Sequence, residues 1–183
     1  MPSPTEFPSL AGGCLVASPQ LRDTNFSRTV VLLLQHDVEG ALGLVINRAT
    51  PVEVSEAVEN APPGSVMAST HALWGGPVDR GVGFVVFRGR APEGWNLGKE
   101  LAASGSRDRL AALLADDTVF HLCLGYAGWG PGQLEREFAE GSWVHVDADP
   151  ALVLDTSVDD RYELALASLG VAPELLWMTS IDA

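Results

Sequence analysis

Val119-Phe-His-Leu-Cys-Leu-Gly-Tyr-Ala-Gly-Trp-Gly-Pro-Gly-Gln-Leu-Glu-Arg-Glu-Phe138 joins an apolar, strand-like run to a helix-like run through eight residues, four of them glycine. Glycine supplies positive φ and lets backbones approach closely, so a cluster this dense predicts a tight and specific chain path. The spacing predicts a strand over residues 119–124, a loop over 125–132, and a helix opened by Pro131 and closed by Gly141 at its C′ position. Strand, glycine loop and helix in that order imitate a phosphate-binding loop. The imitation stops there. No Lys-Ser or Lys-Thr follows the last glycine, and Gly128, Gly130 and Gly132 lack the dinucleotide-binding spacing. Glu135 and Glu137 place negative charge near the first helical turn, already complementing the dipole that would attract an anion. The cluster reads as a structural connection.

Working outward, Thr29-Val-Val-Leu-Leu-Leu-Gln35 is a continuous β-branched and leucine run, the pattern of a strand covered on both faces. A short glycine-ended link leads to Ala41-Leu-Gly-Leu-Val-Ile46, which predicts an antiparallel hairpin. Leu15-Val-Ala17, residues 83–87 and Trp143-Val-His-Val-Asp147 are further strands, and Trp95 falls in a loop over residues 89–98. Thr50-Pro51 has the form of an N-cap with proline at the first helical position, opening a short helix through Val58. Ser106 is placed to cap a helix over residues 107–115. Ser157 and Asp160 resemble a capping box before a helix over 161–169 that Gly170 ends. Strands and helices mix without strict βαβ alternation, which predicts an α+β fold. Residues 1–9, with three prolines, read as a disordered leader, and residues 10–183 as one domain.

A content of 46% hydrophobic and 19% charged residues is that of a chain able to bury a core. The net charge of −13 repels phosphate backbones, so direct nucleic-acid binding and anionic membrane surfaces are disfavoured. The longest apolar runs, such as residues 30–34, are too short to span a bilayer. With no basic, apolar leader at the N-terminus, a soluble cytoplasmic protein is expected.

Several blocks together resemble the YqgE/AlgH family of bacterial proteins. They are Ser18-Pro-Gln-Leu-Arg-Asp-Thr-Asn-Phe-Ser-Arg-Thr-Val30, Glu39-Gly-Ala-Leu-Gly-Leu-Val-Ile-Asn-Arg48, Gly75-Gly-Pro-Val78 with Gly83-Phe84, Ser106-Arg-Asp108, Leu124-Gly-Tyr-Ala-Gly-Trp-Gly-Pro-Gly-Gln-Leu-Glu135, Trp143, and Asp155-Thr156 with Asp160-Arg161. In this order they cover nearly the whole chain. Many members end in a Gly-His-Ala-like tail, whereas this chain ends Trp177-Met-Thr-Ser-Ile-Asp-Ala183, so no role of that histidine carries over. The resemblance implies an α+β fold with a strongly curved, mostly antiparallel, partly barrel-like sheet flanked by helices. It implies no reaction and no cofactor. One branch is labelled a regulator of alginate biosynthesis, sometimes a transcriptional regulator; with an acidic chain that lacks a helix-turn-helix pattern, regulation is expected to act indirectly, through a protein or small-molecule partner.

The residues themselves offer two sites. One is a recognition surface combining Asp23, Asn25 and Arg28 of the loop at residues 22–28 with Arg48, Tyr126 and Trp129. Arg28 and Arg48 are scarce cations in an acidic chain, so each must pair internally or face an anionic partner. The other is a thiol-dependent hydrolase or redox centre using Cys123 with His121, two residues apart on one strand face. Two such ligands without a Cys-x-x-Cys or His-x-x-x-His partner make no metal site, and the plainer reading of Cys14 and Cys123 is a pair of reduced core thiols. The expectation is a non-catalytic regulatory or binding module.

Overall fold

The computed structural model describes residues 7–169. The Val/Leu run forms β2 (Val30–Asp37), buried on both faces through Leu34. The antiparallel strands β1 (Gly13–Ala17) and β3 (Gly40–Val45) flank it, so the expected hairpin is present. The remaining strands are β4 (Ala49–Glu53), β5 (His71–Trp74), β6 (Val78–Arg88), β7 (Trp95–Leu97), β8 (Leu101–Ser104), β9 (Phe120–Trp129) and β10 (Trp143–Asp147). They form one sheet of ten strands in the order β10-β1-β2-β3-β9-β6-β8-β7, with β5 joining β9 in parallel and β4 pairing β5. The sheet curls without closing. Gly98, just past β7, comes near Gly12 before β1, within 3.8 Å of where a side chain on Gly12 would begin. The helices are α1 (Val54–Ala57), α2 (Arg107–Ala115), α3 (Gln133–Ala139) and α4 (Arg161–Ala167). None of the described helices is long and apolar enough to cross a membrane.

Strand alternation divides the interior in two. Phe84, Val86 and Cys123 point into the main core, which α4 covers with Tyr162, Ala165 and Leu166. Val85, Phe87, Phe120 and Leu122 point the other way, into a smaller core closed by Leu113 and Leu114 of α2 and Val54 of α1.

The glycine cluster is not the expected loop. β9 runs on through Gly125, Tyr126, Ala127 and Gly128 to Trp129, paired with Ala41–Gly43 of β3, and only residues 130–132 turn. Gly125 takes φ +79 and distorts the strand rather than ending it. The distortion admits Gly75, whose N–H donates to the Leu124 carbonyl and whose carbonyl accepts from Val45 N–H, both at 2.8 Å. Backbone meets backbone there so closely that a side chain on Gly76 would begin 2.1 Å from the Tyr126 carbonyl oxygen. α3 starts at Gln133 behind Gly132, two residues later than Pro131 suggested. It ends as expected, in a Schellman turn with Gly141 at C′: Gly141 N–H donates to Phe138 O and Ser142 N–H to Glu137 O.

Three further expectations are corrected. Thr50 and Pro51 lie in β4, where an outer strand tolerates proline, and Thr50 Oγ1 donates to Ala72 O at 2.7 Å; the helix begins only at Val54, behind a Glu53–Glu56 capping box. Trp95 stands in β7 rather than a loop, paired with Ala103. Ser157 makes no cap; a single 3₁₀ turn over Val158–Asp160 feeds α4, which ends at Ala167. Gly170 lies outside the described residues, as do residues 1–6 of the expected leader. Phe7 and Ser9 of that leader pack on the fold.

Candidate functional site

The residues of the expected recognition surface do not share one concavity. Asp23 Oδ1 accepts from the N–H groups of Asn25 (2.8 Å) and Phe26 (3.1 Å), fixing an Asx turn in an exposed loop. Arg48 is spent internally: Nη1 donates to the Asn25 carbonyl, Nη2 to the Ser27 carbonyl at 2.9 Å, and the guanidinium lies over the Trp74 ring. Arg28 takes φ +57, stacks 4.6 Å above the Tyr162 ring and stands 3.7 Å from Glu163 in an exposed pair. Trp129 is 6% exposed, packed against Phe26 and Trp143, with its Nε1 donating to Glu137. Tyr126, three residues earlier on β9, lies on the opposite strand face, edge-on to Phe84. The loop and Trp129 therefore meet through Phe26, as packing, and Tyr126 stands apart.

His121 and Cys123 do share a face; Cys123 lies in the main core and His121 is half-buried. Arg161, fully buried at the start of α4, donates from Nη1 to Ile46 O (2.6 Å) and from Nη2 to Thr156 O (2.9 Å), and Nη2 lies 2.7 Å from His121 Nε2. An arginine only donates, so Nε2 accepts and the imidazole proton sits on Nδ1, toward the Val153 carbonyl. Burial, reinforced by the Arg161 charge, pushes His121 down to about 4. Burial pushes both Cys123 and Cys14 up to about 12 although Arg161 pulls the other way, and both thiols are free and fully buried. A neutral histidine beside an inaccessible, protonated thiol is not a nucleophilic pair as it stands.

Open space lies on the other side of β6 and β9. Leu122 and Leu124 of β9 and Val85 of β6 floor a groove of about 700 Å³. Leu110, Ala111 and Leu114 of α2 form one wall, and Ala57 at the end of α1 with Val58, Glu59, Asn60 and Pro62 after it forms the other. Its end is made by Gly81–Gly83 and by Ser104–Ser106. The groove exists because β8 leaves β6 at the Val85–Ser104 pair and turns into α2, so no described strand continues β8 along the first half of β6. The α2 wall is pinned. Ser106 caps α2 by accepting from Arg109 N–H, and Glu93 clamps α2 through Arg109 Nε (2.7 Å) and Nη2 (3.2 Å), a pairing that holds Glu93 down to about 2. Just past α2, the Asp117 carboxylate accepts from Met67 N–H (3.1 Å) and Ser65 Oγ (2.9 Å), which ties residues 65–67 to the end of α2 and keeps Asp117 below its ordinary value.

The lining contains no histidine and no cysteine, and its polar groups are Glu59, Asn60, Ser104, Ser106, Arg107 and Asp108 on the rim. Such a surface can hold an aliphatic group and orient a polar end, but it offers no nucleophile with a base. Sequence reading passed over this site because its floor comes from alternate residues of two distant strands. The available signal was the apolar stripe of α2, in which Leu110 and Ala111 continue past the buried Leu113 and Leu114. Among the described residues no cluster of three or more His, Cys, Asp or Glu could hold a metal ion.

A curled, ten-stranded α+β sheet with a pinned aliphatic groove and a glycine-locked β5–β9 junction defines the class of protein. The chain belongs to the AlgH-like family, whose match spans residues 14–174. It is 40% identical to a UPF0301 protein of Anaeromyxobacter dehalogenans over 184 residues, covering 93% of each chain. It is likewise 40% identical to a UPF0301 protein of Shewanella oneidensis over 185 residues, 96% of this chain and 97% of the relative. The solution structure of the AlgH protein from Pseudomonas aeruginosa shares the fold at a TM-score of 0.76 and 37% identity, covering 96% of this chain and 95% of that one. Protein DIP2367 from Corynebacterium diphtheriae shares the fold at a TM-score of 0.70 and 22% identity, covering 86% and 87%.

Proposed function

We propose that this protein is a non-catalytic binding module that takes the aliphatic part of a ligand into the groove between α2, β6 and β9, and that any regulatory role runs through that ligand. The observation that carries the reading is the lining: a largely aliphatic groove open to solvent, with α2 pinned along one wall and no histidine or cysteine along it. Its volume is in the range of sites for small organic molecules. The net charge of −13 supports the indirect route, since a partner approached through phosphates would be repelled. The cytoplasm is the compartment that fits two buried, unpaired thiols.

The test fills the groove. Ala111 is an exposed residue of the wall, so Ala111→Trp adds bulk to the groove without entering the core. Wild-type protein should enhance the fluorescence of anilinonaphthalene sulfonate, and Ala111→Trp should lose most of that enhancement at an unchanged melting temperature. Equal dye binding by the two proteins removes the groove as the site.

A further inference from the structure

We propose that residues 7–11 form a strap across β2 and α3 that protonation of His36 releases. His36 lies on β2 with its side chain 2% exposed. Its two ring nitrogens do different work. Nδ1 accepts from Leu10 N–H at 3.0 Å, so Nδ1 carries no proton. Nε2 therefore holds the proton of the neutral ring, and it points at Glu135 Oε1 on α3. The strap is fastened elsewhere too: Leu10 packs on the main core and its carbonyl accepts from Gly13 N–H at 3.3 Å. Ser9 Oγ donates to the His36 carbonyl at 3.0 Å, and the Phe7 ring packs edge-on against His36 and against Phe138 of α3. Gly12, at φ +85, ends the strap, its N–H donating to Leu33 O at 2.8 Å.

A second proton on His36 can go only to Nδ1. It places an N–H against the Leu10 N–H in a part-buried contact, turning an attraction into a repulsion. The ring cannot swing aside, because the same proton makes His36–Glu135 a charged pair and holds the imidazolium on α3. The strap is the part free to move. Among the described residues no other charge opposes this. Asp37, next on β2, spends its carboxylate on Glu39 N–H and Gln35 Nε2, and Arg136 of α3 is exposed. Residues 40–42 of β3 and the strap itself carry no ionisable side chain. Release swings residues 7–11 about Gly12 and uncovers His36 and Phe138, adding an aromatic patch at low pH.

Amide hydrogen exchange of the whole chain, followed by NMR from about pH 8 to about pH 5 and corrected for the intrinsic rate, tests this. Protection at Leu10 should fall ~10-fold or more while Leu32 in β2 stays protected. His36→Gln, which keeps a neutral side chain able to accept from Leu10, should leave Leu10 protection independent of pH. Glu135→Gln, which removes the partner of the charged ring, should move the release to lower pH. Constant protection at Leu10 in the wild type overturns the proposal, and so does a parallel loss at Leu32, which would mark general unfolding. If His36→Gln does not fold, the wild-type profile and the Glu135→Gln shift decide between the same outcomes.

Discussion

Arg161 brings a positive charge into the main core with no carboxylate among its hydrogen-bond partners, and its Nε has none. What it gains is a junction: one side chain ties the end of β3, the turn before α4 and β9 together. The cost falls on His121, held neutral at about 4 against an ordinary 6.5. The unfolded chain therefore binds a proton near pH 6.5 that the folded chain refuses until about pH 4. Stability from this residue is complete above pH 6.5 and drains away as the pH falls through that window. Urea midpoints measured down to about pH 4.5, above the range where most carboxylates titrate, should decline in the wild type and decline less in His121→Gln. An identical slope in both proteins would place the titrating group elsewhere. Neither property was legible in the sequence. His121 and Cys123 are correctly placed on one face by strand alternation, but the arginine that bonds His121 comes from forty residues away along the chain.

At the scale of elements, the glycine-rich stretch is two devices in series. Gly125 belongs to the junction where Gly75 and Gly76 press against β9, and a side chain on Gly125 would begin 2.5 Å from the Gly76 carbonyl oxygen. Gly130 belongs to the turn, where the nearest atom to such a side chain is Gln133 Oε1 at 3.9 Å. Gly76→Ala, at φ +156 and against the Tyr126 backbone, should cost more than about 2 kcal/mol. Gly130→Ala should fall within about 0.5 kcal/mol of wild type. Thermal melts of the two variants measure the contrast, and comparable losses would mean that the junction is not what the glycines serve. The pattern of glycines announced a constrained path; only the arrival of β5 from fifty residues upstream says which of them is constrained by neighbours and which by its own turn. The same lesson applies to β9 itself, which a local reading stops at Leu124 and which pairing with β3 extends to Trp129.

The whole molecule is an acidic shell around two cores that share β6 and β9 as a partition. Its charge of −13 against a polyanion predicts no retardation of duplex DNA in gel shifts at low salt, where electrostatic binding is strongest. A retarded band that fades as salt is added would overturn the indirect route to regulation. The α+β class, the β2–β3 hairpin, the cap of α2 and the stop of α3 at Gly141 could all be read from the chain, because each depends on periodicity or on residues a few positions apart. The family could be read too, since its blocks are strings of adjacent residues. The candidate groove could not. A floor of Val85, Leu122 and Leu124, the inward packing of Trp129, and the turn of Arg48 to the Asn25 and Ser27 carbonyls all depend on contacts between distant segments. Such contacts follow from how the sheet curls and where β8 leaves it, and local physical chemistry along the chain carries no record of that choice.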